Sequence, residues 1–369
     1  MKTFRPHSRS GIALIMVMLI VVVFAILAGG LAYTMKVETK LARNANWDTE
    51  LEWLGRSGIE LAKYVLSQPS KGPQGGYDGL NQIWAGGTGE TNDALEGISL
   101  TDNKLGHGTF SVKITDADRK FDINLVDRFP EVFRQGLILM GVDGAETPRL
   151  ANAIGDWIDP DDEPRVGSSD TESSYYLSLN PPYKAKNGPI DDLTELMMIK
   201  GITPNMFYGT GGGSGGGERN IWAQQRVQNA NRFNRRGGEE PVYPLGFVDL
   251  FAANTGGLIN INTASANVMQ LIPEVDSSMA QAIISWRAGD DGTEGNEDDR
   301  PFRSIGDIGF VPGMSQHPQA AQFFQKYFGT RSATFEVQVD TQIDAVKRTY
   351  HAMLRRNGNQ VILLYLYWQ

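Results

Sequence analysis

The stretch Arg9-Ser10-Gly11-Ile12-Ala13-Leu14-Ile15-Met16-Val17-Met18-Leu19-Ile20 begins an apolar run that continues to Met35 without a charged side chain. A helix rises about 1.5 Å per residue, so roughly twenty residues cross a hydrocarbon core of about 30 Å. The run is long enough to span a bilayer. Lys2, Arg5 and Arg9 precede it, which favours a cytoplasmic N-terminus and an exported C-terminal part. Lys36, Lys40 and Arg43 on the far side oppose that bias, with Glu38 among them. A cleaved secretory signal would have an apolar region of about 7–15 residues ending at a small-residue site. Here Ala25 and Ala28 lie inside a longer run with no polar break after them, which favours a retained anchor.

The helical signal continues beyond the run. Between Lys36 and Leu66 there is no proline, and Leu41, Ala45, Leu51, Leu54, Gly58, Leu61 and Val65 recur at spacings near 3.6. The pattern predicts one helix from about Ile12 to Ser67, apolar all round in its first half and amphipathic in its second. Pro69, Gly72, Pro73, Gly75 and Gly76 then end it. Alternation follows at Phe110, Val112 and Ile114, and a shorter run holds Phe121 and Ile123. These read as two antiparallel strands turning near Asp116–Arg119. Alternation returns at the C-terminus, in Phe335, Val337 and Val339 and again in Tyr350, Ala352 and Leu354. Val361–Trp368 is apolar on both faces and is expected to be a strand largely covered by the long helix. A sheet drawn from residues 107–124 and 331–369 requires the middle of the chain to be inserted between its strands.

That middle repeats itself. Residues 150–162 align without a gap on 279–291, matching Ala151 with Ala280, Ile154 with Ile283, Trp157 with Trp286 and Asp161-Asp162 with Asp290-Asp291. Pro189-Ile190 to Gly201-Ile202 likewise aligns on Pro301-Phe302 to Gly313-Met314, and Ile123-Asn124 and Ile261-Asn262 open the two units. Each unit reads as a helix, an acidic loop, a short helix and a glycine turn, so a duplication is expected. The glycine tract Gly209–Gly217 and the Asn/Arg-rich continuation to Arg236 read as a loop between the units.

The chain has 369 residues, 41% hydrophobic and 21% charged, with a formal charge of −9 and no cysteine. That balance supplies a globular core, and an acidic surface disfavours a nucleic-acid partner. Thiolate metal sites and disulfides are excluded. Four histidines without metal-pair spacing argue against zinc catalysis and a histidine-based triad. Gly212–Gly216 matches G-x-S-x-G, but it lies within low-complexity glycine rather than between a strand and a helix. No convergent catalytic constellation is visible.

The acidic loops carry the better chemical signal. The first holds Asp159, Asp161, Asp162, Asp170 and Glu172; the second holds Asp290, Asp291, Glu294, Asp298 and Asp299. Clustered carboxylates repel one another unless a cation sits between them, and Ca2+ accepts six to eight oxygens in flexible loops. Calcium in at least one loop is therefore expected, with a solvated acidic loop as the alternative. The units also look like helix-hairpin-helix (SAM-like) modules. At the hairpin, however, Pro273-Glu274-Val275-Asp276 would set acidic groups against a phosphate.

Taken together, several segments resemble the K-type minor pseudopilins of the bacterial type II secretion system. They are Arg9-Ser10-Gly11 before Ile12, Asp156-Trp157-Ile158-Asp159-Pro160-Asp161, Tyr175-Tyr176-Leu177, Asn180-Pro181-Pro182-Tyr183, Leu196–Gly201 and Ile259-Asn260-Ile261-Asn262-Thr263-Ala264. The resemblance implies an α+β pilin fold, a long N-terminal helix on a small antiparallel sheet, with a large all-α insertion. It implies cleavage after Gly11 by a prepilin peptidase and methylation of Ile12. It also implies a non-enzymatic place at the tip of a periplasmic pseudopilus, nucleating or capping it with I-type and J-type minor pseudopilins. An inner-membrane assembly platform would be a further partner. Calcium in the insertion is a further implication. Most pilin-type subunits carry glutamate at the fifth mature position, where this chain has Met16, as suits a subunit with no neighbour above it.

The expected organisation is a leader (1–11), a spanning segment (12–35), the periplasmic helix with the first strands (36–124), the insertion (125–330) and the last strands (331–369). The units of the insertion fall at about 125–208 and 245–330, around a loop at 209–240. The expected location is the bacterial inner membrane, single-pass, with a cytoplasmic N-terminus and a periplasmic C-terminal part. The alternative reading is a type IV minor pilin or a membrane-anchored periplasmic binding or adhesion protein.

Overall fold

The structure is a computed structural model that describes residues 10–68, 76–88, 93–165, 171–210, 241–314 and 320–368. Helix α1 (Ser10–Ser67) runs unbroken through both halves of the expected helix and is about 87 Å long at the standard rise. Its first half is exposed from Ile12 onward, whereas Leu51, Leu54, Ile59, Ala62, Val65 and Leu66 are buried. Within the apolar half the few polar groups are satisfied locally: the Thr34 hydroxyl donates to the Gly30 carbonyl at 2.8 Å. Leu41, the first member of the predicted stripe, is exposed, so the packed face begins further along the helix.

The strands are β1 (Asn103–Leu105), β2 (Gly108–Asp116), β3 (Phe121–Asp122), β4 (Phe251–Ala252), β5 (Ile259–Asn260), β6 (Phe328–Gly329), β7 (Thr334–Ile343), β8 (Val346–Asn357) and β9 (Gln360–Trp368). Five of them form one sheet in the order β1-β2-β7-β8-β9, antiparallel throughout. The chain joins β2 to β7 only after some two hundred residues, so the long insertion between sheet strands is present as expected.

Register aligns rows of side chains across the sheet. Val112, Val339, Tyr350 and Trp368 form one row, and Ile114, Val337, Ala352 and Leu366 form the next. Helix α1 lies across β2, β7 and β8. Its close approach depends on two glycines: a Cβ at Gly58 would meet Val339 Cγ1 at 2.4 Å, and one at Gly55 would meet the Tyr350 ring at 2.5 Å. Helix and sheet together bury Phe110, Val112, Ile114, Phe335, Val337, Val339, Tyr350 and Leu354.

Two expectations are corrected here. Strand β9 is not largely covered by the helix: it lies at the sheet edge, where α1 reaches only part of it. Trp368 is 61% exposed although its row partners Val339 and Tyr350 are buried. Only Val361 and Leu366 of this strand pack against the core. The short run at Phe121 does not turn back on β2 either. The chain leaves the sheet after Asp116, and β3 pairs in parallel with β4. The actual hairpin partner of β2 is β1, a short polar strand that alternation does not signal.

A second core fills the insertion, built around Phe121, Phe133, Phe247, Phe251, Leu271, Ile283 and Phe302. Helices α2 (Pro130–Leu139) and α3 (Thr147–Ile158) lie in its first part, and the helix Ser277–Arg287 lies in its second. Matching devices recur at matching positions. Asn124 clamps Ile190, its Oδ1 accepting from the amide at 2.7 Å and its Nδ2 donating to the carbonyl at 3.0 Å. Asn262 does the same to Phe302, at 2.8 and 2.9 Å. The 3-10 helices Leu193–Met198 and Ile305–Phe310 follow capping residues Asp192 and Ser304. Each is followed by a left-handed glycine at φ +90°, Gly201 and Gly313. Parallel strand pairs close both stretches, β3 with β4 and β5 with β6, so the insertion expected to be all-α carries short strands as well. The glycine-rich segment and its G-x-S-x-G match lie outside the described residues.

Candidate functional site

The processing residues Gly11 and Ile12 fall in the first turns of α1. Met16 is 63% exposed, on a helix whose apolar surface in this half is covered by nothing among the described residues. An uncovered apolar helix of this length is a candidate single-pass membrane anchor.

The first acidic loop follows α3. This helix buries Leu150, Ala153, Ile154 and Trp157 and so fixes the place where the acidic loop begins. Asp159, Asp161 and Glu172 each bring a carboxylate oxygen within 4.8 Å of the others. Two oxygens on opposite sides of a calcium ion stand about 4.6–5.2 Å apart, so the spacing suits one shared ion. Glu172 is only 3% exposed, yet both of its carboxylate oxygens, like Asp159 Oδ1, are buried without a hydrogen-bond donor among the described residues. Burial, followed by the charges of Asp156 and Asp159, pushes the Glu172 carboxyl up to about 7. A buried carboxylate with no donor is costly unless a cation sits against it.

Other side chains hold the loop in place. Arg165 forks onto Asp127 at 2.6 and 2.9 Å and reaches Asp159 Oδ2 at 2.8 Å. Its guanidinium passes over the helix at Gly155, where a Cβ would lie 2.1 Å from Nη1. Asp162 accepts from the Ser173 hydroxyl at 2.8 Å and from Asn187 Nδ2 at 3.0 Å, which holds its carboxyl below the usual range. It staples the loop and stands outside the group of three. Asp170 lies outside the described residues. Sequence reasoning missed Asn187 and Arg165. Asn187 donates to the Asp161 carbonyl at 2.7 Å, has φ +48°, and keeps Oδ1 buried without a donor among the described residues. No spacing pattern marks such a residue, which comes from a separate loop.

The second acidic loop is arranged differently. Glu294 pairs with Arg287 and Asp290 with Arg300. Asp298 Oδ2 accepts from the amides of Asp290 and Asp291 at 2.7 and 3.1 Å, and Asp291 accepts from the Thr293 amide and Asn296. Asp299 accepts from the Gly295 amide at 2.8 Å and leaves Oδ1 buried without a donor among the described residues. In the nearby hairpin, Asp276 caps the helix Ser277–Arg287 by accepting from the Met279 amide at 2.8 Å.

The family model for type II secretion system protein K matches residues 119–208, the first part of the insertion. The type II secretion system protein K of Pseudomonas aeruginosa is 24% identical over 333 residues, covering 86% of this chain and 84% of that protein. The chain is similar to the type II secretion system protein K family. A putative protein K of Escherichia coli K12 is 27% identical over 212 residues, which span 54% of this chain and 60% of that relative. Among solved structures, a chain of the GspK-GspI-GspJ complex from enterotoxigenic Escherichia coli superposes with a TM-score of 0.60 at 16% identity. The match covers 89% of this chain and 99% of that one. This chain therefore shares the α+β fold of that one, with its long N-terminal helix and small antiparallel sheet.

Proposed function

We propose that this chain is a non-enzymatic minor pseudopilin of a type II secretion system, working at the tip of the periplasmic filament. The carrying observation is the continuity of α1, whose uncovered apolar half leads into a half buried against the sheet. That architecture lets one subunit move from a bilayer into a filament on a single rigid element. Similarity to type II secretion system protein K supports the system. The similar solved chain comes from a complex of GspK with GspI and GspJ, which supports I-type and J-type pseudopilins as partners. The N-terminus would be cytoplasmic, with cleavage by a prepilin peptidase after Gly11, methylation of Ile12 and contact with the inner-membrane assembly platform. Exported protein would be the cargo of the system rather than a substrate of this subunit.

Met16 supports the terminal position. An unpaired carboxylate at the centre of a bilayer costs about 2.5–3.5 kcal/mol on insertion scales, so it is retained only where a neighbour supplies a cation. A subunit with no neighbour above it has no such use for one. The insertion, read as two SAM-like units, adds bulk that a filament interior does not accommodate. The orphaned oxygens of Asp159, Glu172 and Asn187 support a Ca2+ site in its first loop, with Asp161 as a further ligand. An all-oxygen donor set suits calcium rather than zinc.

The test is co-purification of the full chain with I-type and J-type partners from membranes, together with secretion in a strain lacking the gene. A complex with both partners and loss of secretion on deletion are the expected results. Purification with neither partner, and unaffected export, would refute the proposal. Gold labelling along the shaft of the wild-type filament would refute the tip position, and assembly of Met16→Glu as a repeating shaft subunit would support it.

A further inference from the structure

Where the insertion joins the sheet, three buried carboxylates cluster, and only one of them, Asp78, is paired with a guanidinium, that of Arg356. Asp78 follows α1, while Asp116 and Asp118 close β2; all three are buried. Asp78 Oδ2 accepts from Arg356 on β8 and from the Ser332 amide at 2.8 Å. Asp118 accepts from the Gly256 amide at 2.8 Å and the Ala333 amide at 2.6 Å. Asp116 Oδ1 accepts from the Asp118 amide at 2.8 Å. Its Oδ2 gathers Asn260 Nδ2 at 3.0 Å, the Thr263 hydroxyl at 2.5 Å and the Ser332 hydroxyl at 2.6 Å. Body, insertion and return strand therefore meet on one network: Asp78, Asp116, Asp118 and Arg356 belong to the body, Gly256, Asn260 and Thr263 to the insertion, and Ser332 and Ala333 to the return.

We infer that this joint is proton-linked: it is tight while Asp116 holds a proton, and it loosens when all three carboxylates are ionised. One guanidinium cannot neutralise three buried carboxylates, and the excess charge is costly away from water. The network has a place for the proton. Hydroxyls both donate and accept, so Thr263 or Ser332 can turn to accept from a protonated Asp116 Oδ2 without losing the contact. A cleft of about 440 Å³, lined in part by Asp78, Asp118, Ser332, Arg331 and Arg356, gives solvent a route to the cluster.

The surrounding charges agree with the direction. Burial and then the charge of Asp118 push Asp116 up to about 7. Burial pushes Asp118 up to about 6, with Asp122 adding to it. Arg355 is committed to the Asn254 carbonyl. Lys120, lowered by burial, faces the charges of Glu336, Arg119 and Asp249. A folded-state value raised above the unfolded one contributes stability below the unfolded value, near 4, and loses it as pH rises through about 6–7.

The test is hydrogen exchange on the full chain in detergent micelles between about pH 5 and about pH 8.5, corrected for intrinsic rates. Protection at Gly256, Asn260, Ser332 and Ala333 should fall about tenfold across the range, while β7 and β8 amides stay constant. Asp116→Asn should flatten the response. A flat wild-type profile, an equal fall in β7 and β8, or an unchanged response in Asp116→Asn would overturn the inference. Should that variant not fold, infrared spectra of wild-type chain with labelled aspartate decide it. A carboxylic-acid band present at the acidic end and gone at the alkaline end supports the inference, and no band at either end overturns it.

Discussion

The two acidic loops follow equivalent helices, one after α3 and one after Ser277–Arg287, yet they handle negative charge in opposite ways. The second loop occupies most of its carboxylates internally, leaving Asp299 Oδ1 without a donor among the described residues: Arg287 takes Glu294, Arg300 takes Asp290, and backbone amides take Asp298. The first commits Arg165 to Asp127 and one oxygen of Asp159, and leaves Glu172 and the other Asp159 oxygen without donors among the described residues. Similar composition thus conceals one loop held mainly by its own arginines and amides and one whose buried Glu172 oxygens have no donor among the described residues. The count of carboxylates says little; the placement of arginines and amides decides.

The largest effect expected from breaking this contrast is at Arg287, which is 5% exposed at its side chain and also donates to the Ile261 carbonyl. Arg287→Met leaves Glu294 without its partner and should lower unfolding stability by about 3–5 kcal/mol in denaturant titrations. Next comes calcium itself. At about a hundred times its dissociation constant, the ion should stabilise the chain by about 2.7 kcal/mol, and a chelator should reverse this. Glu172→Gln should change sign with conditions. Without calcium it removes a buried unpaired charge and should stabilise by about 1–2 kcal/mol; with calcium it should forfeit the gain, as paired melts would show. The smallest effect is at Asp290, an exposed partner of Arg300. Asp290→Asn should cost less than about 1 kcal/mol, and a larger loss would mean that the second loop depends on that pair more than its exposure allows.

Some of this is legible in the sequence, and the rest is hidden for identifiable reasons. A helix that lacks charge for its first half and is striped in its second is written in the composition, so α1 is readable nearly to the residue. The repeat is readable because the blocks ending in Gly201 and Gly313 align residue for residue and each unit opens on Ile-Asn, and Asn124 and Asn262 prove to be the clamps at those starts. Strand β9 misleads because apolar residues on both faces ordinarily signify coverage on both sides, and sequence does not give the width of the covering helix. The short run at Phe121 misleads because its partner, β4, lies more than a hundred residues away. In the candidate cation site, Asp159, Asp161 and Glu172 are visible as carboxylates. That Asp162 instead binds Ser173 and Asn187 depends on a loop from another part of the insertion.

The proposed calcium site in the first loop depends on Glu172. Calorimetric titration of the full chain with calcium, beside Glu172→Gln and Asp299→Asn, tests it most directly. Glu172→Gln should weaken the tightest binding by about a hundredfold, or about 2.7 kcal/mol, while Asp299→Asn leaves it unchanged. Tight binding that survives Glu172→Gln and disappears in Asp299→Asn would contradict the claim.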